Sequence, residues 1–194
     1  MARFPRSCIA ALAVVTVLAP PARAIEIETI DVRYESGLYK VRFAAELEAT
    51  PEAVARVLKD YANYPNLDPR IEESHVVPSA HGALTRLYTR LRGCLNRLFC
   101  RSMVRVETLK EGEGDLVATA IPGLSDVESS VAHTEWHASQ KGTHVTYTLA
   151  LDPKFWVPAF YARRAMIETM RTGTVAMFTS VERVARVPPV ADAG

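Results

Sequence analysis

The fold follows from one segment near the carboxy terminus, residues 155–185, which reads FWVPAFYARRAMIETMRTGTVAMFTSVERVA. Steps of three and four residues separate most of its apolar positions, which places them on one face of a helix. Pro158 suits the first helical turn, where a missing N–H is tolerated. The pattern therefore predicts a helix from about residue 157 to residue 185. The predicted inward face consists of Trp156, Phe160, Arg163, Ile167, Met170, Thr174, Met177, Val181 and Val184.

A helix of this length, roughly 40 Å at about 1.5 Å per residue, needs a broad apolar surface to pack against. Much of the remaining chain has the alternating pattern of strands, interrupted by turn residues such as Ser36 and Gly37. The predicted strands occupy residues 25–34, 38–48, 72–78, 83–92, 101–109, 116–121, 129–138 and 143–151. This order predicts an α+β fold in which a curved antiparallel β-sheet, a meander of six or seven strands, wraps around the long C-terminal α-helix.

Short helices are predicted after the first long strand, where Thr50 is followed by Pro51 and Glu52. A threonine can cap a helix, a proline suits the first turn, and an acidic residue suits the positive end of the helix dipole. The helical spacing of apolar residues ends at Asp60. We therefore expect a helix from Thr50 to about residue 60, before the sheet resumes.

The first 24 residues have the pattern of a bacterial signal peptide. Arg3 and Arg6 precede an apolar run, residues 8–19, and Ala22 and Ala24 are small residues at the positions that determine cleavage. This run is shorter than the roughly 20 residues that span a bilayer, although an uncleaved anchor is the alternative. We expect an exported, periplasmic protein cleaved after Ala24, with one domain over residues 25–187 and a disordered tail over residues 188–194.

The charge balance argues against one class of partner. Loss of the signal removes three arginines and no acidic residue, which leaves 20 basic and 22 acidic residues and a net charge of −2. Nucleic-acid-binding domains carry a basic excess, so we expect no nucleic-acid partner. Arg86, Arg90 and Arg92 share one face of a strand, which indicates either a solvated face or transient contact with a membrane through anionic lipid head groups.

Two cysteines, Cys94 and Cys100, remain after cleavage, and they flank a predicted hairpin tip. Exported proteins meet an oxidising compartment, where two nearby thiols pair. A metal site is the alternative, but it would need further ligands, and no histidine lies near the pair in the sequence. We therefore predict a Cys94–Cys100 disulfide.

Two motifs carry a resemblance to a known family. Residues 50–65 read TPEAVARVLKDYANYP, and residues 142–147 read GTHVTY and follow Trp136. Over residues 39–183 the chain resembles the START-like (SRPBCC) superfamily, which includes polyketide cyclase/dehydrase-like and coenzyme Q-binding proteins. The resemblance implies a helix-grip fold with a cavity between sheet and terminal helix. Its members include lipid and quinone carriers, aromatic-ring cyclases and binding modules without catalysis.

The predicted partner is a hydrophobic small molecule such as a lipid, an isoprenoid or a quinone, because flexible methionines and few polar groups suit an apolar ligand. Arg163 is of particular interest, since a guanidinium on a buried helix face would need an internal acid or the polar end of a ligand. Each candidate could equally be an ordinary core residue. The candidate cavity lining is Tyr61, Tyr64, Trp136, Tyr147, Phe160, Arg163, Met166, Met170 and Met177.

No strong catalytic, cofactor or metal motif is found in the sequence. His137 and His144 should lie opposite each other across a hairpin, where they could bind a metal weakly or respond to pH, but two ligands alone favour ordinary surface histidines. A cyclase or dehydratase acting on an aromatic or polyketide-like compound is the alternative function, with Tyr147 and Arg163 as its only candidate groups. A ligand-free interaction module of the cell envelope is a third hypothesis.

Overall fold

The structure is a computed structural model that describes residues 25–78, 84–94, 100–154 and 161–188, with the backbone alone for Tyr161 and Ala162. The predicted signal peptide, Phe160, the start of the long helix and all but the first residue of the predicted tail lie outside these residues. The strands are β1 (Glu26–Glu35), β2 (Leu38–Leu47), β3 (Ile71–Val77), β4 (Thr85–Cys94), β5 (Cys100–Glu111), β6 (Asp115–Ala120), β7 (Val127–Ser139) and β8 (Gly142–Pro153). The α-helices are α1 (Pro51–Leu58), α2 (Tyr64–Leu67) and α3 (Tyr161–Ala185).

All the strands join one antiparallel sheet with the order β1-β2-β8-β7-β6-β5-β4-β3. Strands β3 to β8 form a continuous meander, and β8 returns to pair with β2. The sheet and the long helix confirm the predicted α+β helix-grip architecture. The β1–β2 hairpin turns at Ser36 and Gly37, whose φ angles of 53° and 85° are left-handed. A glycine adopts this conformation without steric cost.

The first short helix begins as predicted. The Thr50 hydroxyl accepts a hydrogen bond from the Ala53 N–H at 3.3 Å, and Pro51 occupies the first turn. Val54, Val57 and Leu58 are buried on one side of α1. This helix therefore closes one end of the space between the sheet and α3.

Helix α3 contacts the sheet in both halves, and its most deeply buried side chains lie in the carboxy-terminal half. The Phe178 ring stacks on Phe43 of β2 with 4.7 Å between centroids, and Val181 and Ala185 are buried next to it. The Glu182 carboxylate is also buried and accepts a hydrogen bond from the Glu48 N–H at 2.9 Å. The predicted inward face is therefore correct at Val181 but omits Phe178.

Among the described residues, no helix combines the length and the apolar composition that crossing a membrane requires.

Candidate ligand-binding cavity

A cavity of about 540 Å³ lies between the sheet and the central part of α3, from Met166 to Phe178. Phe178, which stacks on Phe43 of β2, also borders it. The helix forms one wall with flexible and small side chains. These are Met166, Thr169, Met170, Gly173, Thr174, Met177 and Phe178.

The opposite wall consists mainly of aliphatic side chains from β4 to β8. Side chains alternate along a strand, so every second residue of these strands can face the helix. The aliphatic residues of this wall are Leu87, Leu91, Leu109, Leu116, Ala118, Val127, Ala132, Leu149 and Leu151. Such walls favour a guest that is largely apolar, because its burial removes hydrocarbon surface from water.

One charged pair interrupts this apolar wall. Arg105 and Glu107 lie two residues apart on β5, so both face the cavity, and the guanidinium forms an ion pair with the carboxylate. The Arg105 side chain is 19% exposed and the Glu107 side chain 4%. Burial opposes the charge of Arg105, but Glu107, with smaller contributions from Tyr147 and Tyr64, holds the pKa of the guanidinium above its usual value. The Nε atom of Arg105 is shielded from solvent and has no hydrogen-bond partner in the described chain, so contact with a polar group in the cavity falls to the rest of the guanidinium.

Two tyrosines border the same space. Burial raises the pKa of Tyr147 to about 12, with Arg105 opposing the shift and Glu107 adding to it. Burial, together with the charges of Glu107 and Glu111, also raises the pKa of Tyr64, whose hydroxyl donates to the Leu58 carbonyl at 2.7 Å. Both phenols are therefore neutral at ordinary pH and neither acts as a base, and the Tyr64 proton is already donated to Leu58.

The predicted disulfide is present at one edge of the cavity. Cys94 and Cys100 are bonded, with 3.9 Å between their Cα atoms, and they pair across the ends of β4 and β5. Arg92 and Arg101 lie next to the cysteines and also border the cavity. The bridge thus holds together a hairpin end with a basic character.

A second edge of the cavity is closed by a contact between the α2–β3 connection and α3. The Arg70 guanidinium binds the buried Asp68 carboxylate through two nitrogen atoms and donates to the Thr169 carbonyl at 3.1 Å. It lies directly over Gly173, where a Cβ atom would collide with the guanidinium. Glycine at this position therefore lets the arginine lie flat against the helix.

The structure brings five of the predicted lining residues to the cavity. Phe160, a sixth candidate, is outside the described residues. The five that border the cavity are Tyr64, Tyr147, Met166, Met170 and Met177.

Tyr61 and Trp136 do not border the cavity, which corrects the predicted lining. Both belong to the packed core beneath α1. The Tyr61 hydroxyl donates to Glu111 at 2.6 Å, and the Lys59 ammonium lies 5.9 Å from the centre of the Trp136 ring. These contacts fill the space at that end of the sheet.

Arg163 does not border the cavity either, and it is exposed. Its guanidinium lies 4.3 Å from the centre of the Tyr34 ring, close to the turn of the β1–β2 hairpin. The premise that this arginine is buried on the inner face of the helix was wrong, because at this end of the described helix the guanidinium stacks on a ring at the hairpin end and stays exposed.

The sequence analysis missed Arg105 and Glu107. On one face of β5, Val104 and Val106 form an apolar pair that sequence alone would assign to the interior. Arg105 and Glu107 lie on the other face, together with Met103 and Leu109, and this is the face that borders the cavity. The available signal was two opposite charges at i and i+2 on a strand, a pattern that places both on one face.

Comparison with known proteins gives the family and the fold. The family described as "Polyketide cyclase / dehydrase and lipid transport" matches residues 39–183. No curated protein matches the chain significantly.

Several solved structures share the fold at low sequence identity. A STAR-related lipid transfer protein from Xanthomonas axonopodis is 15% identical with a TM-score of 0.63, covering 85% of this chain and 100% of that one. A START superfamily protein from Mycobacterium smegmatis is 17% identical with a TM-score of 0.59, covering 75% and 98%. The Zhui aromatase/cyclase from Streptomyces sp. R1128 is 13% identical with a TM-score of 0.63, covering 81% and 99%.

The family match spans most of the domain, and the helix-grip topology and the cavity under α3 agree with it. The chain belongs to the polyketide cyclase/dehydrase and lipid transport family.

Proposed function

We propose that this domain is an exported carrier that holds an apolar ligand, such as a lipid, an isoprenoid or a quinone, in the cavity beneath α3. The observation that carries the proposal is the cavity of about 540 Å³ with largely aliphatic walls. Its volume falls within the range of about 300–1,000 Å³ that is typical of small-molecule sites. The lipid transfer protein with the same fold supports the ligand class, and the disulfide is compatible with an oxidising compartment.

The ligand of this carrier has one polar end. The Arg105 side chain borders the cavity and is 19% exposed, so a wholly apolar guest would displace water from its guanidinium, which is costly. A hydroxyl, carbonyl or acidic group next to Arg105 would replace that water. A hydrogen bond to a charged group contributes about 1.5–3 kcal/mol, or roughly 10- to 150-fold in affinity.

The first experiment identifies the ligand by mass spectrometry of an organic-solvent extract of the protein, purified from the compartment in which it accumulates. A matched pair of variants tests the location. Met170→Trp fills the cavity, whereas Ala176→Trp places the same side chain on the exposed side of α3. We expect Met170→Trp to abolish co-purification and uptake of the fluorescent probe N-phenyl-1-naphthylamine, and Ala176→Trp to retain both. Protein that carries no ligand and refuses the probe would refute the carrier.

A second pair of variants tests the polar end. Arg105→Met alone leaves the buried Glu107 carboxylate without its partner, which is destabilising, so Arg105→Met is combined with Glu107→Leu. We expect this double variant to keep its affinity for the apolar probe and to lose at least about tenfold in affinity for the co-purified ligand. Equal affinity of both proteins for that ligand would contradict a role of Arg105.

The second candidate function is a cyclase or dehydratase that acts on an aromatic or polyketide-like compound. The observation that favours it is the grouping of Tyr147 with Arg105 and Glu107 on the cavity wall. Tyr147 could donate a hydrogen bond to a carbonyl oxygen, whose developing charge the guanidinium would stabilise. If this activity exists, Tyr147→Phe should abolish turnover of such a compound without loss of probe binding. Unchanged turnover would remove Tyr147 from the mechanism.

A further inference from the structure

The outer face of the sheet, away from the cavity, carries a row of four metal-ligating side chains on four adjacent strands. Glu46 of β2 pairs directly with His144 of β8, and His144 pairs directly with His137 of β7. Glu46 points outward, because its neighbours Ala45 and Leu47 are completely buried. The two histidine rings lie 4.9 Å apart between centroids. Register alone therefore brings a carboxylate and two imidazoles together.

The fourth member of the row, Glu28, comes from an irregularity in β1. The pairing of β1 with β2 shifts between Ile27 and Thr29, which leaves Glu28 as the extra residue of a bulge. A bulge re-aims the side chain of its extra residue. Here one carboxylate oxygen of Glu28 lies 3.2 Å from Nε2 of His144.

One ligand atom each from Glu28, Glu46 and His144 lies within 4.8 Å of the others. Zinc–ligand bonds of about 2.0–2.2 Å in a tetrahedron separate neighbouring ligand atoms by about 3.4 Å. The three groups are therefore within side-chain adjustment of a coordination geometry. The Ser139 hydroxyl donates to the Glu46 carboxylate, a type of outer contact that orients ligands in metal sites.

The charges of this patch also favour a cation. Glu26 pairs directly opposite Glu46 across β1 and β2, and like charges in such positions destabilise a sheet. The Lys141 ammonium binds Glu26 at 2.6 Å and supplies one positive charge. Glu26, Glu28 and Glu46 together carry three negative charges, so these three side chains and Lys141 keep a net charge of about −2, which a divalent ion would balance.

His144 can offer its Nε2 atom to a cation, because this atom lies 3.2 Å from the Glu28 carboxylate. Mixed imidazole and carboxylate donors suit Zn²⁺, whereas Mg²⁺ and Ca²⁺ prefer oxygen ligands alone. We propose that Glu28, Glu46 and His144 bind a Zn²⁺ ion, that His137, which lies outside this compact group, turns toward it as the fourth ligand, and that this ion fastens the edge strand β1 to the sheet.

The test is calorimetric titration of ZnCl₂ into protein that has been purified without a histidine tag and stripped with a chelator. We expect one equivalent to bind, with His144→Gln and Glu28→Gln each weakening the affinity at least about tenfold, the loss that even outer-shell substitutions produce. Zn²⁺ should also raise the thermal midpoint of the wild type more than that of either variant. MgCl₂ should neither bind nor compete.

The sheet provides a matched control. His133 lies on the same outer face with two carboxylates, at 3.7 Å from Asp115 and 3.9 Å from Glu135, but it has no second histidine across the strand pair, where Thr148 stands. His133→Gln should therefore leave Zn²⁺ affinity unchanged. The proposal is overturned if the wild type shows no saturable Zn²⁺ binding, if Mg²⁺ competes on equal terms, or if His133→Gln loses as much affinity as His144→Gln.

Discussion

Replacement of Gly173 by alanine should reverse the usual sign of a glycine-to-alanine change in a helix. In an ordinary helix interior, alanine is favoured over glycine by about 1 kcal/mol. At Gly173, however, the three atoms nearest to the added Cβ all belong to the guanidinium of Arg70. The methyl group must therefore push the arginine away from α3.

The cost follows from the contacts of Arg70. Its guanidinium donates to the Thr169 carbonyl at 3.1 Å and is held in that plane by Asp68. A hydrogen bond that involves a charged group contributes about 1.5–3 kcal/mol. Loss of this bond, set against a helix-propensity gain of about 1 kcal/mol, leaves a net destabilisation of about 0.5–2 kcal/mol.

The assay is a mutant cycle measured by urea unfolding at 25 °C. The second background combines Arg70→Ala with Asp68→Asn, so that no buried carboxylate is left without a partner. In this background the methyl group no longer meets a guanidinium, and Gly173→Ala should stabilise the protein by about 1 kcal/mol. A stabilisation of equal size in both backgrounds would refute the reasoning, because it would mean that the position of Arg70 does not require a glycine at residue 173.

Two further predictions concern the tyrosine of the cavity wall and the disulfide at its edge. The pKa of Tyr147 is about 12 in the folded protein against about 10 in an unfolded chain. The free energy of unfolding should therefore fall as the pH rises from about 10 through 12, and it should fall less steeply in Tyr147→Phe. Urea midpoints across this range, with a 295 nm titration of tyrosinate, measure the effect. Replacement of Cys94 and Cys100 by serine should lower the free energy of unfolding by about 2–3 kcal/mol, and reductant should lower that of the wild type equally but leave the variant unchanged.

Local patterns in the sequence were sufficient for most of the fold. The Ser36–Gly37 turn, the Thr50 cap and the pairing of Cys94 with Cys100 each depend on residues that are close in the chain, and each is present in the structure. The strand positions follow from turn residues between alternating segments, which is also local information. The family resemblance then supplied the long-range arrangement that periodicity does not encode.

Which side chains line the cavity could not be predicted from any single helix or strand. Periodicity places Arg163 in line with the inner face of α3, but it does not say where the sheet beneath the helix ends. On β5, both alternating sets contain apolar residues, so the charged pair of Arg105 and Glu107 could be assigned to the inside only after the neighbouring strands were in place. Phe178 lies one position beyond Met177 on the helix, and both rows fit a helical spacing.

The uneven packing of α3 has a consequence for how a guest could enter and leave. Phe178, Val181 and Glu182 fix the carboxy-terminal half to β2 and its following turn, whereas Met166 and Met170 are only partly buried between the cavity and the sheet. Admission of a guest would therefore require movement of the amino-terminal half alone. That movement would break contacts such as those of Arg70 with Thr169 and of Arg171 with Ile30, while the global fold stays intact.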